Sequence, residues 1–156
     1  MKPFIRIFFP ILLILFFAIQ GCSRTPDKEL IRRSIDNAVK AAEARDVPAF
    51  MESVSKDYRD DNGNDYKAIK QMVFYEFMKG ERVNVFLRSA DIEVSGDKAA
   101  VAANVILARG KEVKSLKDIV PEDADGFRFN MIFKKEKGGW KAVNAKWESI
   151  GIAGLL

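Results

Sequence analysis

The chain has 156 residues, of which 26 are basic and 22 acidic, and it contains one cysteine and no histidine. A single cysteine excludes an intramolecular disulfide, and the lack of histidine excludes histidine-centred catalysis. Because the formal net charge is only +4 and no basic stripe is present, we predict that the chain does not bind nucleic acid.

The N-terminus has the pattern of a secretory signal peptide. Residues 1–6 carry Lys2 and Arg6 without an acidic residue, and residues 7–19 form an uncharged apolar run. A helix needs about 20 apolar residues to cross the hydrocarbon layer of a membrane, and this run is shorter. We therefore predict that residues 1–21 are a cleaved leader and not a membrane-spanning helix.

The apolar run ends at Ile19-Gln20-Gly21-Cys22, which resembles the lipobox of bacterial lipoproteins. The resemblance implies that Cys22 becomes the acylated first residue of the mature chain, with residues 22–26 as the lipidated N-terminus and a short tether. Stable anchoring takes more than one acyl chain. The expected location is the bacterial cell envelope, on the extracytoplasmic side. Ser23 stands where that family has an inner-membrane retention aspartate, so in a diderm we expect the periplasmic face of the outer membrane.

Three helices are predicted in the first half of the mature chain. The first, over residues 25–44, begins with Thr-Pro-Asp, which combines a capping hydroxyl, a proline and an acidic residue suited to a helix N-terminus. A short second helix follows with Asp46 as its cap, and the third covers residues 66–79. The third helix is apolar over a wide arc, which predicts that other structure wraps around it.

From residue 82 the apolar period changes to two, which is typical of strands. Two antiparallel hairpins are predicted, and their four strands cover residues 82–94, 99–108, 127–134 and 140–148. If the last strand is regular, Trp140 and Trp147 lie on opposite faces because they are an odd number of positions apart. The apolar tail, residues 150–156, either covers an apolar patch formed by Phe86 and Ile132 or belongs to an interface.

This order of elements, with the segments Arg45-Asp46, 55–63 and 139–143, resembles the nuclear transport factor two-like superfamily over residues 27–149. The resemblance implies one α+β domain, residues 27–156. In that fold three N-terminal helices pack in a strongly bent antiparallel sheet of about four strands, a cone-shaped, cystatin-like roll. It also implies a pocket at the open end and frequent homodimerisation through the outer face of the sheet.

Enzymes of that superfamily commonly use a pocket aspartate as a base, often with a tyrosine as hydrogen-bond donor. The candidate pocket residues of this chain are Tyr58, Asp60, Asp65 and Tyr66. An aspartate base needs burial to raise its pKa. The simpler interpretation is that these aspartates cap turns in a polar segment.

The same segment has a partial resemblance to a calcium loop. Asp60, Asn62 and Asn64 have the alternate spacing of an EF-hand, but the glycine falls at the fourth position and not the sixth. We therefore predict no metal site, and nothing in the sequence indicates a cofactor.

Three functions remain open, and the third of them is a purely structural dimer. The leading hypothesis is a membrane-anchored lipoprotein whose non-catalytic domain binds a small apolar ligand or an envelope protein. The alternative is a lone-carboxylate enzyme, of the isomerase or lyase type, that acts on a small hydrophobic substrate.

Overall fold

The computed structural model describes residues 26–80, 82–110, 113, 115–119 and 123–155, and these form an α+β fold with a four-stranded antiparallel sheet. The helices are α1 (Asp27–Ala44), α2 (Val47–Met51) and α3 (Tyr66–Met78). The strands are β1 (Val83–Ser95), β2 (Lys98–Arg109), β3 (Ala124–Glu136) and β4 (Gly139–Ile150). Short 3₁₀ turns span Leu116–Asp118 and Ile152–Gly154.

Aspartate side chains cap the second and third helices. A carboxylate oxygen of Asp46 accepts a hydrogen bond from the N–H of Ala49 at 3.0 Å, and one of Asp65 accepts from the N–H of Ala68 at 2.9 Å. Each bond satisfies an amide that has no partner inside its own helix. The prediction that Asp46 caps the second helix is confirmed. Thr25, the predicted cap of α1, lies outside the described residues.

The strands lie in the order β1-β2-β3-β4, with an antiparallel ladder between each pair of neighbours. The expectation of a strongly bent, cone-shaped sheet is not supported, because the sheet is not strongly curled. The β2–β3 ladder runs from Lys98 to Ala108 without a register shift, and each of the other two ladders has one shift. Few bulges are therefore available to bend the strands.

The register shift in the β3–β4 ladder changes which side chains of β4 face the helices. Val143 is an extra residue, because its neighbours Ala142 and Asn144 pair with consecutive residues of β3. This bulge reverses the alternation along the strand, so Trp140 and Trp147 lie on the same, helix-facing side of the sheet. The prediction of opposite faces assumed a regular strand and is wrong.

The segment between α2 and α3 is bonded to β4 at the bulge. The N–H of Ala142 donates to the carbonyl of Ser53 at 2.8 Å, and the carbonyl of Ala142 accepts from the N–H of Ser55 at 2.9 Å. The carbonyl of Val143 accepts from the N–H of Arg59 at 3.0 Å. Since β4 is an edge strand, its outward backbone groups need such partners.

α1 lies diagonally across the helix-facing side of the sheet. At its start, the Asp27 carboxylate accepts hydrogen bonds from Lys135 Nζ at 2.6 Å and from Trp140 Nε1 at 3.1 Å. Near its end, the Glu43 carboxylate accepts from the N–H of Val85 at 3.0 Å. The buried cluster between helix and sheet comprises Ile31, Ile35, Ala99, Val101, Phe133, Trp140 and Ala142.

The C-terminal tail covers one end of the outer face of the sheet. Leu155 packs against a buried cluster that contains Ile106, and Phe86 packs against the same cluster. The tail therefore covers the apolar patch at Phe86, whereas Ile132 remains 39% exposed.

α3 is less covered than its composition predicted. Ile69 is its buried residue, while Phe74, Tyr75 and Met78 are 50%, 69% and 66% exposed. Phe77 packs edge-to-face on a phenylalanine of α2, with 5.9 Å between the ring centroids. The prediction that other structure wraps this helix is wrong within the described part of the chain.

Ile31→Ala is expected to lower the free energy of unfolding by about 2–5 kcal/mol, because truncation of this fully buried side chain leaves a cavity between α1 and the sheet. The matched control is Ile132→Ala, which removes the same atoms from an exposed part of the sheet. Urea unfolding of both variants measures the difference. Equal losses of stability would contradict this assignment of the core.

Candidate functional site

Most of the residues predicted for a pocket lie around one depression on the surface. Its volume is about 480 Å³, and its lining consists of Lys56, Asp57, Tyr58, Arg59, Asp65, Tyr66 and Lys67. The structure thus brings Tyr58, Asp65 and Tyr66 together. Asp60, the fourth predicted residue, is not part of this lining.

Asp60 is buried and fully engaged in hydrogen bonds that shape its own loop. Its carboxylate accepts from the N–H of Asn62 at 3.0 Å, from the N–H of Asn64 at 2.9 Å and from the side-chain amide of Asn64 at 2.8 Å. Burial acts to raise the pKa of this carboxyl, but the hydrogen bonds from Asn64, Asn62 and Tyr58 outweigh it and lower the pKa. A general base needs the opposite shift.

Tyr58 is also turned inward. Its side chain is buried, and its hydroxyl lies 3.4 Å from the Asp60 carboxylate and 3.4 Å from the carbonyl oxygen of Ala145. Burial and the neighbouring Asp60 charge raise the pKa of Tyr58 to about 12, so the phenol stays neutral. The Tyr58 hydroxyl therefore bonds to β4 and to the loop of Asp60, and its proton is not directed to a substrate in the depression.

The remaining predicted residues have structural contacts of their own. Asp65 is exposed and caps α3, as described above. The ring of Tyr66 lies under the Lys56 ammonium, with 3.7 Å between the nitrogen and the ring centroid, which is a cation–π contact. The depression is therefore a polar surface of mixed charge, and its aspartates fit the capping interpretation better than catalysis.

Cys22, the predicted lipidation site, lies outside the described residues. The structure does show where the N-terminal segment joins the fold, because Asp27 is held by Lys135 and Trp140 near the turn between β3 and β4. Within the described part of the chain, no helix has the length and apolar character needed to cross a membrane.

A second candidate site is the row of rings on the helix-facing side of the sheet, formed by Phe127, Phe129 and Trp147. The ring centroids of Phe127 and Phe129 are 6.2 Å apart, and those of Phe129 and Trp147 are 6.5 Å apart. All three side chains are only half-buried. Neighbouring, partly exposed aromatic rings are typical of surfaces that bind apolar ligands.

No family model and no curated protein matches the chain, but several solved structures do. A proposed dehydratase of the nuclear transport factor two-like family from Streptomyces avermitilis superposes with a TM-score of 0.65 at 14% identity, covering 80% of this chain and 96% of that one. A protein of unknown function with a cystatin-like fold from Nostoc punctiforme gives 0.64 at 14% identity, covering 85% and 98%. Bd1075 from Bdellovibrio bacteriovorus gives 0.62 at 14% identity over 76% of this chain, which spans only 40% of Bd1075.

The chain has the nuclear transport factor two-like, cystatin-like fold. At these identities the likeness concerns the fold alone, and the activity must be argued from this chain's own residues.

The row of rings was missed from the sequence because it depends on the bulge at Val143. The sequence of β4 contains a signal for this bulge. Apolar residues occupy 140 and 142, and then 145 and 147, so the alternation changes phase between them. A phase change inside a strand pattern indicates a bulge, and with it Trp147 joins the face of Phe127 and Phe129.

No cluster of three or more metal-ligating side chains occurs among the residues that the structure describes. The calcium-like spacing of Asp60, Asn62 and Asn64 has a different origin. The two asparagines donate hydrogen bonds to Asp60, so their arrangement closes a turn around that carboxylate.

Asp60→Asn is expected to lower the free energy of unfolding by about 1–3 kcal/mol at neutral pH, because buried donors lose their charged acceptor. The folded-state pKa of Asp60 is lowered, so its stabilisation is present above the ordinary aspartate pKa of about 4 and is lost as the pH falls through the folded-state value. The difference between wild type and variant should therefore shrink in acid.

Urea unfolding of both proteins at neutral and acidic pH measures this difference. The control is Asp61→Asn, which alters the exposed neighbouring residue and should change stability little. A difference that stays constant with pH would show that the Asp60 charge does not stabilise the loop.

Proposed function

We propose that this protein is a lipid-anchored, non-catalytic domain of the bacterial cell envelope that binds a small apolar ligand on the row of rings. The observation that carries the proposal is the half-buried row itself, Phe127, Phe129 and Trp147, on the helix-facing side of the sheet. Its neighbours on β2 are small or aliphatic, because Ala103 pairs with Phe129 and Val105 pairs with Phe127. An aromatic or long-chain ligand matches such a surface.

The absence of catalysis is proposed from what the candidate residues already do. The Asp60 carboxylate and the Tyr58 hydroxyl are bonded within the fold, and the pKa of Asp60 is shifted away from that of a base. Asp65 is exposed and caps a helix. The rival, a lone-carboxylate enzyme, needs a buried carboxyl with a raised pKa facing an apolar wall. Turnover of a small hydrophobic carbonyl compound that stops in Asp60→Asn would support that rival.

The anchor is proposed from the sequence at Cys22 and from the short connection that follows it. Five residues, 22–26, link the lipidated position to α1. The start of α1 is held to the sheet by Asp27. Lipid at Cys22 would therefore keep the whole domain at the bilayer, on the extracytoplasmic side and, in a diderm, at the outer membrane.

The outer face of the sheet is retained as a candidate surface for a homodimer or an envelope partner. It is polar away from the tail: Arg128 bonds to Asn104 and pairs with Glu148, and Asn104 bonds to Ser89. Ile132 is the exposed large apolar side chain on this face of the described sheet. A polar surface of this kind favours a weak association over an obligate one.

Phe129→Ala is expected to weaken binding of N-phenyl-1-naphthylamine, an uncharged apolar fluorescent probe, by about threefold to tenfold. Burial of a fully exposed ring contributes about 1.5–3 kcal/mol, the Phe129 ring is already half-buried, and each 1.4 kcal/mol is a factor of ten. The matched control is Phe74→Ala, which removes a half-exposed ring of α3. Equal affinities of wild type and Phe129→Ala, measured by fluorescence titration, would exclude the row of rings as the binding surface.

Cys22→Ser is expected to abolish metabolic labelling of the chain with an acyl-chain analogue, because the thioether to the lipid needs the thiol. Ser23→Ala serves as the control and should label as the wild type does. Gel fluorescence after attachment of a dye to the analogue measures the modification. Undiminished labelling of Cys22→Ser would rule out this residue as the site of the anchor.

A further inference from the structure

α3 presents a second apolar surface, directed away from the sheet. Phe74, Tyr75 and Met78 form this surface, which we name the outer α3 face. They occupy positions that a helix places opposite Ile69, the buried residue of α3. The rings of Phe74 and Tyr75 contact edge-to-face at 6.1 Å. Exposed clusters of large apolar side chains mark surfaces that bind a protein or a membrane.

The charged residues of α3 itself are mainly positive, and one of them, Lys67, also lines the mixed-charge depression with Asp57 and Asp65. Lys67 and Lys70 are exposed on the same helix, and neither forms an ion pair with a described residue. Glu76, the acidic residue of α3, pairs with Lys79 at 2.6 Å. Aromatic and methionine side chains flanked by unpaired lysines have the chemistry of a helix that lies in the interface of an anionic bilayer.

The position of α3 relative to the N-terminus is compatible with such a contact. Trp140 of β4 donates to Asp27 at the start of α1. Five residues further along β4, the carbonyl of Ala145 lies 3.4 Å from the hydroxyl of Tyr58, and Tyr58 belongs to the segment that leads into α3. Five strand residues span about 17 Å. The tether of residues 22–26 reaches about as far when extended. A bilayer that anchors Cys22 is therefore within reach of the start of α3. The end of α3 lies beside the end of α1, where the Arg45 side chain donates to the carbonyl of Gly80 at 2.9 Å, so the helix would extend along the bilayer away from the anchor.

We propose that the outer α3 face lies on the surface of an anionic bilayer. Phe74, Tyr75 and Met78 enter the interface, and Lys67 and Lys70 lie against the lipid headgroups. The argument from distance rests on the proposed anchor at Cys22, whereas the arguments from exposure and charge do not.

A second copy of the chain fits this face less well. Two α3 helices packed antiparallel about Tyr75 would bring Lys70 of each copy beside Lys79 of the other. The pair between Lys79 and Glu76 is exposed to solvent and offsets this repulsion only in part. A bilayer with acidic headgroups has no such conflict, because it offers negative charge along the whole length of the helix.

The test places the photoreactive residue benzoylphenylalanine at Tyr75 in the full-length protein, reconstituted in vesicles of phosphatidylethanolamine and phosphatidylglycerol. Illumination is expected to give a protein–lipid adduct, detected by mass spectrometry as an added lipid mass on a peptide of α3. The matched control has the same residue at Ile132, on the outer sheet face, where little adduct is expected. Replacing phosphatidylglycerol by phosphatidylethanolamine, or introducing Lys67→Gln with Lys70→Gln, should reduce the adduct severalfold.

The other products of illumination overturn the proposal. A covalent dimer from position 75 would assign the face to a second copy, and a cross-link to the segment that precedes α1 would assign it to the chain's own N-terminus. No cross-link, or equal lipid adducts at 75 and 132, would also reject the contact.

Acyl labelling of the same samples separates this proposal from the anchor. A labelled protein without an adduct at 75 retains the anchor and rejects the contact of α3. An unlabelled protein that still forms the adduct with vesicles rejects the anchor and supports the contact.

Discussion

The backbone hydrogen bonds between β4 and the segment after α2 determine more of this structure than any other contact. They join both polar groups of Ala142 to Ser53 and Ser55, and the carbonyl of Val143 to Arg59. At this point the edge strand contains its extra residue. The bonds satisfy an edge that would otherwise be open to association. They also fix the phase of β4, which puts Trp147 beside Phe129, and the direction in which the chain enters α3.

The same segment explains why residue types suited to catalysis have structural roles here. A segment that bonds to an edge strand and then turns into a helix must satisfy several backbone amides within a few residues. Asp60 accepts from the amides of Asn62 and Asn64, and Asp65 accepts from the amide of Ala68 in the first turn of α3. Tyr58 fills the space between the segment and β4. These polar groups are thus engaged in hydrogen bonds of the turn. The candidate surface for a ligand is therefore the row of rings.

The sequence predicted those features that depend on local chemistry. The α+β class, the two hairpins and the cap at Asp46 follow from alternation, periodicity and short-range hydrogen bonding, which neighbouring residues decide. The bulge at Val143 was not predicted. Its local signal is the phase change between residues 142 and 145, whereas the hydrogen bonds that stabilise it come from residues more than eighty positions earlier in the chain. The exposure of α3 was not predicted either. Its composition records how apolar the helix is, and composition does not distinguish a helix covered by protein from one that meets another partner.

The way in which α3 packs explains why both the row of rings and the outer α3 face are exposed. Its early residues Tyr66 and Ile69 pack in the cluster that includes Trp147, whereas Phe77, near its end, contacts α2. The sheet beyond Trp147 is therefore left half-covered at Phe127 and Phe129. Full burial of one large apolar side chain stabilises a fold by about 1.5–3 kcal/mol, so each of these partly exposed side chains forgoes a fraction of that free energy. On the two proposals made above, a ligand on the row of rings and a bilayer on the outer α3 face would each bury such side chains without moving the helix.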